Sequence, residues 1–151
     1  MAGGLGLAFD TALMELIFNN TNVANVGDAT GLRGSSSAGS FYLSIHTGTL
    51  DKNSTQQTNE CAYTSYARVA VVRTAGGWTI SGSGPVQAVN AAQIDFPKCT
   101  GGSETATYAA IGTSSSGAGQ VLFWAPLLSP LAISNNITPY IQAGSAVFTM
   151  V

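Results

Sequence analysis

An alternation of period two, beginning at Phe41, constrains the fold of this chain more than any other feature. Phe41, Leu43 and Ile45 point to one side, and Tyr42, Ser44 and His46 to the other. A polar loop over 48–65 follows, and residues 66–73 (YARVAVVR) resume the strand pattern. Short apolar runs bounded by Gly, Pro, Asn or Ser then predict strands over 77–82, 86–96, 105–111, 120–125, 131–134 and 146–151. Residues 114–119 (SSSGAG) and 143–145 (AGS) carry turn chemistry. Only one stretch has helical spacing. Phe9, Leu13, Leu16 and Ile17 fall at i, i+4, i+7 and i+8, Met14 and Phe18 widen the stripe, and Asp10 is placed to cap the N-terminus. The expectation is an all-β chain, a single domain over 1–151 of β-sandwich or jelly-roll type. It comprises an N-terminal arm (1–8), one short helix (9–20), an irregular stretch to 40 and a sandwich over 41–151.

Charge narrows the range of functions. Charged residues make up 8% of the chain, against about 25% in an average soluble protein. Sixteen Ser, sixteen Thr and 18 Gly supply much of the remaining surface. Hydroxyls and backbone keep such a surface wet, which suits a crowded assembly better than a free monomer. The five basic residues (Arg33, Lys52, Arg68, Arg73, Lys98) are scattered and the net charge is −2, so no nucleic-acid partner is expected. No apolar run approaches the ~18 residues of a membrane helix. The first residues lack a basic region and are interrupted by Asp10 and Glu15, so neither a membrane span nor a signal peptide is expected. Cys61 and Cys99, two in number and far apart, make neither a disulfide framework nor a metal cluster.

Few residues offer chemistry. His46 is the single histidine, at the end of a strand, and no Gly-x-Ser-x-Gly motif occurs. It reads as a structural residue bonded to backbone or water. Among the seven carboxylates, Asp10 and Glu15 belong to the helix and Asp51 stands beside Lys52. Glu60 precedes the strand that holds Arg68. In a chain with so few charges an isolated acid and base tend to find each other, so Glu60 or Asp95 is expected to pair with Arg68 as a strut between loop and sheet. No closely alternating acids form a calcium loop. The chain is read as no enzyme, with no catalytic residue, cofactor or metal site. Tyr63 and Tyr66 flank the loop and could form a sugar platform, while Trp78, Phe123 and Trp124 read as core or interface.

Several segments, in order, resemble a family of small tailed-phage virion proteins. These are 42–47 (YLSIHT), 59–60 (NE), 66–69 (YARV), 90–97 (NAAQIDFP), 109–112 (AAIG), 119–127 (GQVLFWAPL) and 141–148 (IQAGSAVF). The match covers about three quarters of the chain. The arm and the 19–40 stretch have no counterpart, Ser145 stands where an acidic residue is usual, and a closing Pro-Ala-Gly is missing. Members of this family are described as head decoration or cement proteins and as tail-fibre-like. The resemblance implies a structural virion protein made in the bacterial host cytoplasm. The first reading places it on the capsid exterior as a decoration or cement protein that bridges neighbouring copies of the major capsid protein, itself a homo-oligomer and by expectation a trimer. The alternative is a tail-fibre-associated or host-recognition module that binds a receptor or carbohydrate. In either role the apolar Gly-rich arm is expected to make the intersubunit contact through Met1, Leu5 and Leu7, because such an arm frays unless a neighbour pins it.

Overall fold

The computed structural model describes residues 4–150, which form one helix and nine strands. Helix α1 (Leu7–Asn19) precedes β1 (Ser40–His46), β2 (Val69–Val72), β3 (Trp78–Ser81), β4 (Gln87–Asn90) and β5 (Ile94–Asp95). Then come β6 (Ser103–Gly112), β7 (Val121–Ser134), β8 (Tyr140–Ile141) and β9 (Val147–Thr149). The fold is all-β with a single short N-terminal helix, arranged in three sheets ordered β2-β1-β6-β7, β3-β4-β9 and β5-β8. The chain divides into two compact units. One is drawn from Met1–Gly39, Val72–Ala92 and Ala143–Val151, the other from Ser40–Val71 and Gln93–Gln142. Among the described residues no helix is long and apolar enough to cross a membrane.

In the first unit α1 packs on β3 and β4. Its buried residues are Met14 and Phe18, the two that widen the expected Phe9–Leu13–Leu16–Ile17 stripe. The reason is aromatic. Phe18 meets Trp78 edge-on at 5.1 Å and stacks on Phe148 at 6.3 Å, while Trp78 and Phe148 lie 6.0 Å apart. This triad gathers the helix, β3 and β9 into one core. Asp10 is not the cap. Gly6 occupies that position without a side-chain bond, and Asp10 stands in the first turn, where a carboxylate complements the helix dipole. At the other end Asn20 takes the left-handed conformation (φ 59°) that closes a helix. The last turn has no basic residue of its own. Arg73 supplies the charge from outside, donating from Nε to the Ile17 carbonyl at 2.7 Å and from Nη2 to the Leu16 carbonyl at 2.9 Å.

The predicted strand over 86–96 is two strands in different sheets. Asn90, almost wholly buried, donates from Nδ2 to the Ala92 carbonyl at 2.8 Å, and its Oδ1 accepts the Ala146 amide at 2.9 Å. A side chain that binds backbone on both sides bends the chain there. β4 therefore pairs with β3 and β9, and β5 with β8.

In the second unit β1 and β6 pair antiparallel from Tyr42↔Gly112 to His46↔Tyr108, and β6 pairs antiparallel with β7. The two runs predicted over 120–125 and 131–134 are one strand interrupted by a protrusion. Thr107 alone faces residues 127–130, since Ala106 is opposite Leu131 and Tyr108 opposite Pro126. Pro126 and Pro130 are tolerated because β7 is an edge strand.

The aromatic triad predicts a large local cost for its loss. Phe18→Ala is expected to destabilise the chain by about 3–5 kcal/mol, read as a lower urea midpoint. The exposed Leu7→Ala change should move the midpoint by less than about 0.5 kcal/mol.

Candidate functional site

β1 lies inside its sheet, and residues 43–46 are all buried, including the polar Ser44 and His46. The side that alternation assigned to solvent is therefore covered. The 47–65 loop returns along β1: the Thr47 amide donates to the Asn59 carbonyl at 2.8 Å, and the Cys61 amide to the Ile45 carbonyl at 3.0 Å. This return brings Glu60 beside His46.

Arg68 and Glu60 form the centre of the site. Nε of Arg68 donates to Oε1 of Glu60 at 2.6 Å and Nη2 to Oε2 at 2.7 Å, a two-point contact in which the Arg68 side chain is 2% exposed. Its remaining donors reach backbone carbonyls, Nη1 to Ser114 at 2.9 Å and Nη2 to Gly117 at 2.7 Å. One guanidinium thus ties the loop, the start of β2 and the 113–119 turn together. Tyr66 completes the carboxylate shell. Its hydroxyl donates to Glu60 Oε1 at 3.0 Å and accepts the Ile45 amide at 3.2 Å. Burial, with the Glu60 charge beside it, pushes the Tyr66 phenol far above its ordinary range, so it stays protonated. Asp95 takes no part, and accepts from Gln93 Nε2 at 2.7 Å.

Two residues that sequence reasoning did not single out, Gln56 and Glu104, complete the assembly with Tyr63. Gln56, fully buried, donates from Nε2 to the Tyr42 carbonyl at 3.1 Å and accepts the Ser114 amide at 3.0 Å. A Cβ at Gly112 or Gly119 would collide with the Gln56 side chain, so these two glycines make its berth. Glu104 accepts the amides of Ala62 and Tyr63 at 2.9 and 3.1 Å. Tyr63 donates its hydroxyl to the Pro97 carbonyl at 2.8 Å, and its ring meets Tyr66 edge-on at 5.3 Å. The only signal for Gln56 was the pair of glycines bracketing the Ser-rich turn. Tyr63 is buried and Tyr66 half-buried, so neither presents an open platform for a sugar.

His46 is fully buried. Its Nδ1 lies 2.8 Å from the Thr58 carbonyl, which can only accept, so Nδ1 carries the proton and Nε2 faces the Ser44 hydroxyl at 2.9 Å. Burial pushes the imidazole below its ordinary 6.5, outweighing the Thr58 carbonyl and the Glu60 charge that pull it upward. Cys61 and Cys99 are both free and buried. Burial, aided by Glu104, pushes the Cys61 thiol up to about 12, which leaves it a poor nucleophile. The arrangement is a set of mutually bonded struts. Of the expected intersubunit residues, Leu5 and Leu7 are exposed at 54% and 49%, and Met1 lies outside the described residues.

Over residues 10–149 the chain matches the family described as podophage GP4 fiber I protein gp80. No curated protein matches it.

Two predictions arise from this geometry. Arg68→Met leaves the Glu60 carboxylate without its counter-charge and is expected to cost about 3–5 kcal/mol. The double change Arg68→Met/Glu60→Leu should cost less than the sum of the single changes, as a double-mutant cycle of urea midpoints can read. The second concerns pH. The unfolded His46 ring binds its proton near 6.5 and the folded ring only at lower pH, so the unfolded state holds more protons between those values. Stability is full above that range and falls as pH drops through it. Melting temperature should therefore decline from about pH 7 to about pH 5, and the decline should be shallower in His46→Gln.

Proposed function

The chain belongs to the podophage GP4 fiber I protein gp80 family, and from that membership we propose that it is a structural subunit of a phage fibre. At the coarser level it is a structural protein of a tailed-phage virion. The observation that carries the fibre reading is the family's own description, matched over residues 10–149. The sequence reading put capsid decoration first, with the major capsid protein as partner on the shell exterior, and the fibre second. The family description supports the fibre position at least as well as decoration.

The geometry supports a passive structural role. Glu60, Arg68, Glu104 and His46 all bond within the fold, so the role needs no catalysis. Apolar side chains stand in solvent instead. Leu5, Leu7 and Leu128 are 54%, 49% and 97% exposed, a pattern that fits contact with other subunits. The working form is accordingly a homo-oligomer built into a larger assembly, with interfaces on the order of 1,000 Å² or more.

Stoichiometry separates the two positions. In purified virions, a copy number far below that of the major capsid protein, with antibody label on fibres, supports this reading. A copy number in fixed proportion to the capsid lattice, with label spread over the shell, overturns it in favour of decoration.

A further inference from the structure

We propose that the open edge of β7 pairs antiparallel with β7 of a second copy of this chain, about a two-fold axis at Trp124. This names the partner for the homo-oligomer proposed above.

The direction of the backbone groups follows from hydrogen bonds at the other side of the sheet. The Ile45 amide donates to the Tyr66 hydroxyl and the Ile45 carbonyl accepts from Cys61, so both face away from β6. Alternation then turns the backbone groups of Ser44 and His46 toward β6, opposite Ala110 and Tyr108. Those two face β1, which leaves Ala109 and Ile111 facing β7, opposite Ala125 and Phe123. The N–H and carbonyl of Trp124 and the carbonyl of Pro126 consequently point out of the sheet. Proline, having no N–H to give, fits such an outward position.

Charge identifies the occupant. Free proteins usually blunt an open edge with Lys or Glu. From position 105 onward this chain has no Asp, Glu, Lys, Arg or His. Residues 121–125 (VLFWA) are all half-buried, and the 127–130 protrusion beside them carries Leu128 at 97% exposure. In two-fold antiparallel pairing the axis residue meets its own counterpart and its neighbours meet across the axis, Phe123 opposite Ala125, so a charge near the axis would lie close to its own copy. A neutral apolar strand carries no such penalty against its own copy. The prolines fix the register. Centring on Trp124 lets each Trp124 N–H meet the opposite Trp124 carbonyl, whereas centring on Pro126 would set carbonyl against carbonyl with no donor. Leu128 then adds apolar contact beside the paired strands, which alone bury less than a stable dimer needs (about 1,000 Å² or more).

The test is light scattering on the full-length chain at roughly 100 μM, which populates complexes of micromolar Kd, together with amide exchange at Trp124. A dimer is expected, with the Trp124 amide slow to exchange. Trp124→Lys should be monomeric with an unchanged circular dichroism spectrum. Leu128→Lys removes no buried contact, so it keeps the test open if the first variant misfolds; it should weaken association about tenfold or more and speed Trp124 exchange. A monomer, a trimer, or a dimer that neither variant weakens overturns the proposal. So does a Trp124 amide protected only by a different virion protein in assembled particles. A dimer formed by this edge but absent from fibres would instead sink the fibre reading alone.

Discussion

The two-point contact between Arg68 and Glu60 is the interaction on which the second unit depends. A buried ion pair on its own adds little net stability, because desolvation offsets much of the attraction. Here the guanidinium does more than neutralise a carboxylate. Its other donors bind the Ser114 and Gly117 carbonyls, and the same carboxylate receives the Tyr66 hydroxyl. The loop at Glu60, the start of β2 and the distant 114–117 turn are thereby fixed at one point. Each buried group that would be costly alone has its partner, which is the condition under which a polar network specifies a structure. In the first unit Arg73 plays a comparable part, placing its charge on the carbonyls that end α1. Neither arginine is spent on solubility.

Much of this is legible in the sequence. Strand β1, the region of β6 and the single helix follow from periodicity. That Arg68 needs a carboxylate follows from the scarcity of charge, and Glu60 and Asp95 were its natural candidates. What periodicity could not reveal is the second face of β1. Ser44 and His46 look solvent-facing because they are polar, yet the 47–65 loop supplies the Thr58 carbonyl that lets His46 be buried. Within the helix stripe, spacing cannot rank Leu13 against Met14. The positions of Trp78 and Phe148 decide it. The break after Asn90 depends on a side chain bonding to backbone as far away as Ala146, a tertiary fact with no local signature. Gln56 had little more local signature, since its berth consists of two glycines and two backbone partners.

The distribution of charge links the fold to assembly. Charged side chains serve two ends in most small proteins: they hold the fold's specificity at a few positions and keep the remaining surface from associating. This chain has twelve, and in the second unit Glu60, Arg68 and Glu104 serve the first end. Much of the remaining surface is left to hydroxyls, backbone and apolar groups, with exposed charges only at Asp28, Arg33, Asp51, Lys52, Asp95 and Lys98. A sheet edge can be protected by charge, by closure or by cover. β7 has no charge of its own and no further strand beside it among the described residues; only its beginning is met, by the Thr55 bridge to Gln120. Its two prolines limit pairing to a short register without preventing it. An edge restricted in that way cannot extend into an indefinite stack. It can accept one strand in one alignment, which is what a subunit of a defined virion structure requires.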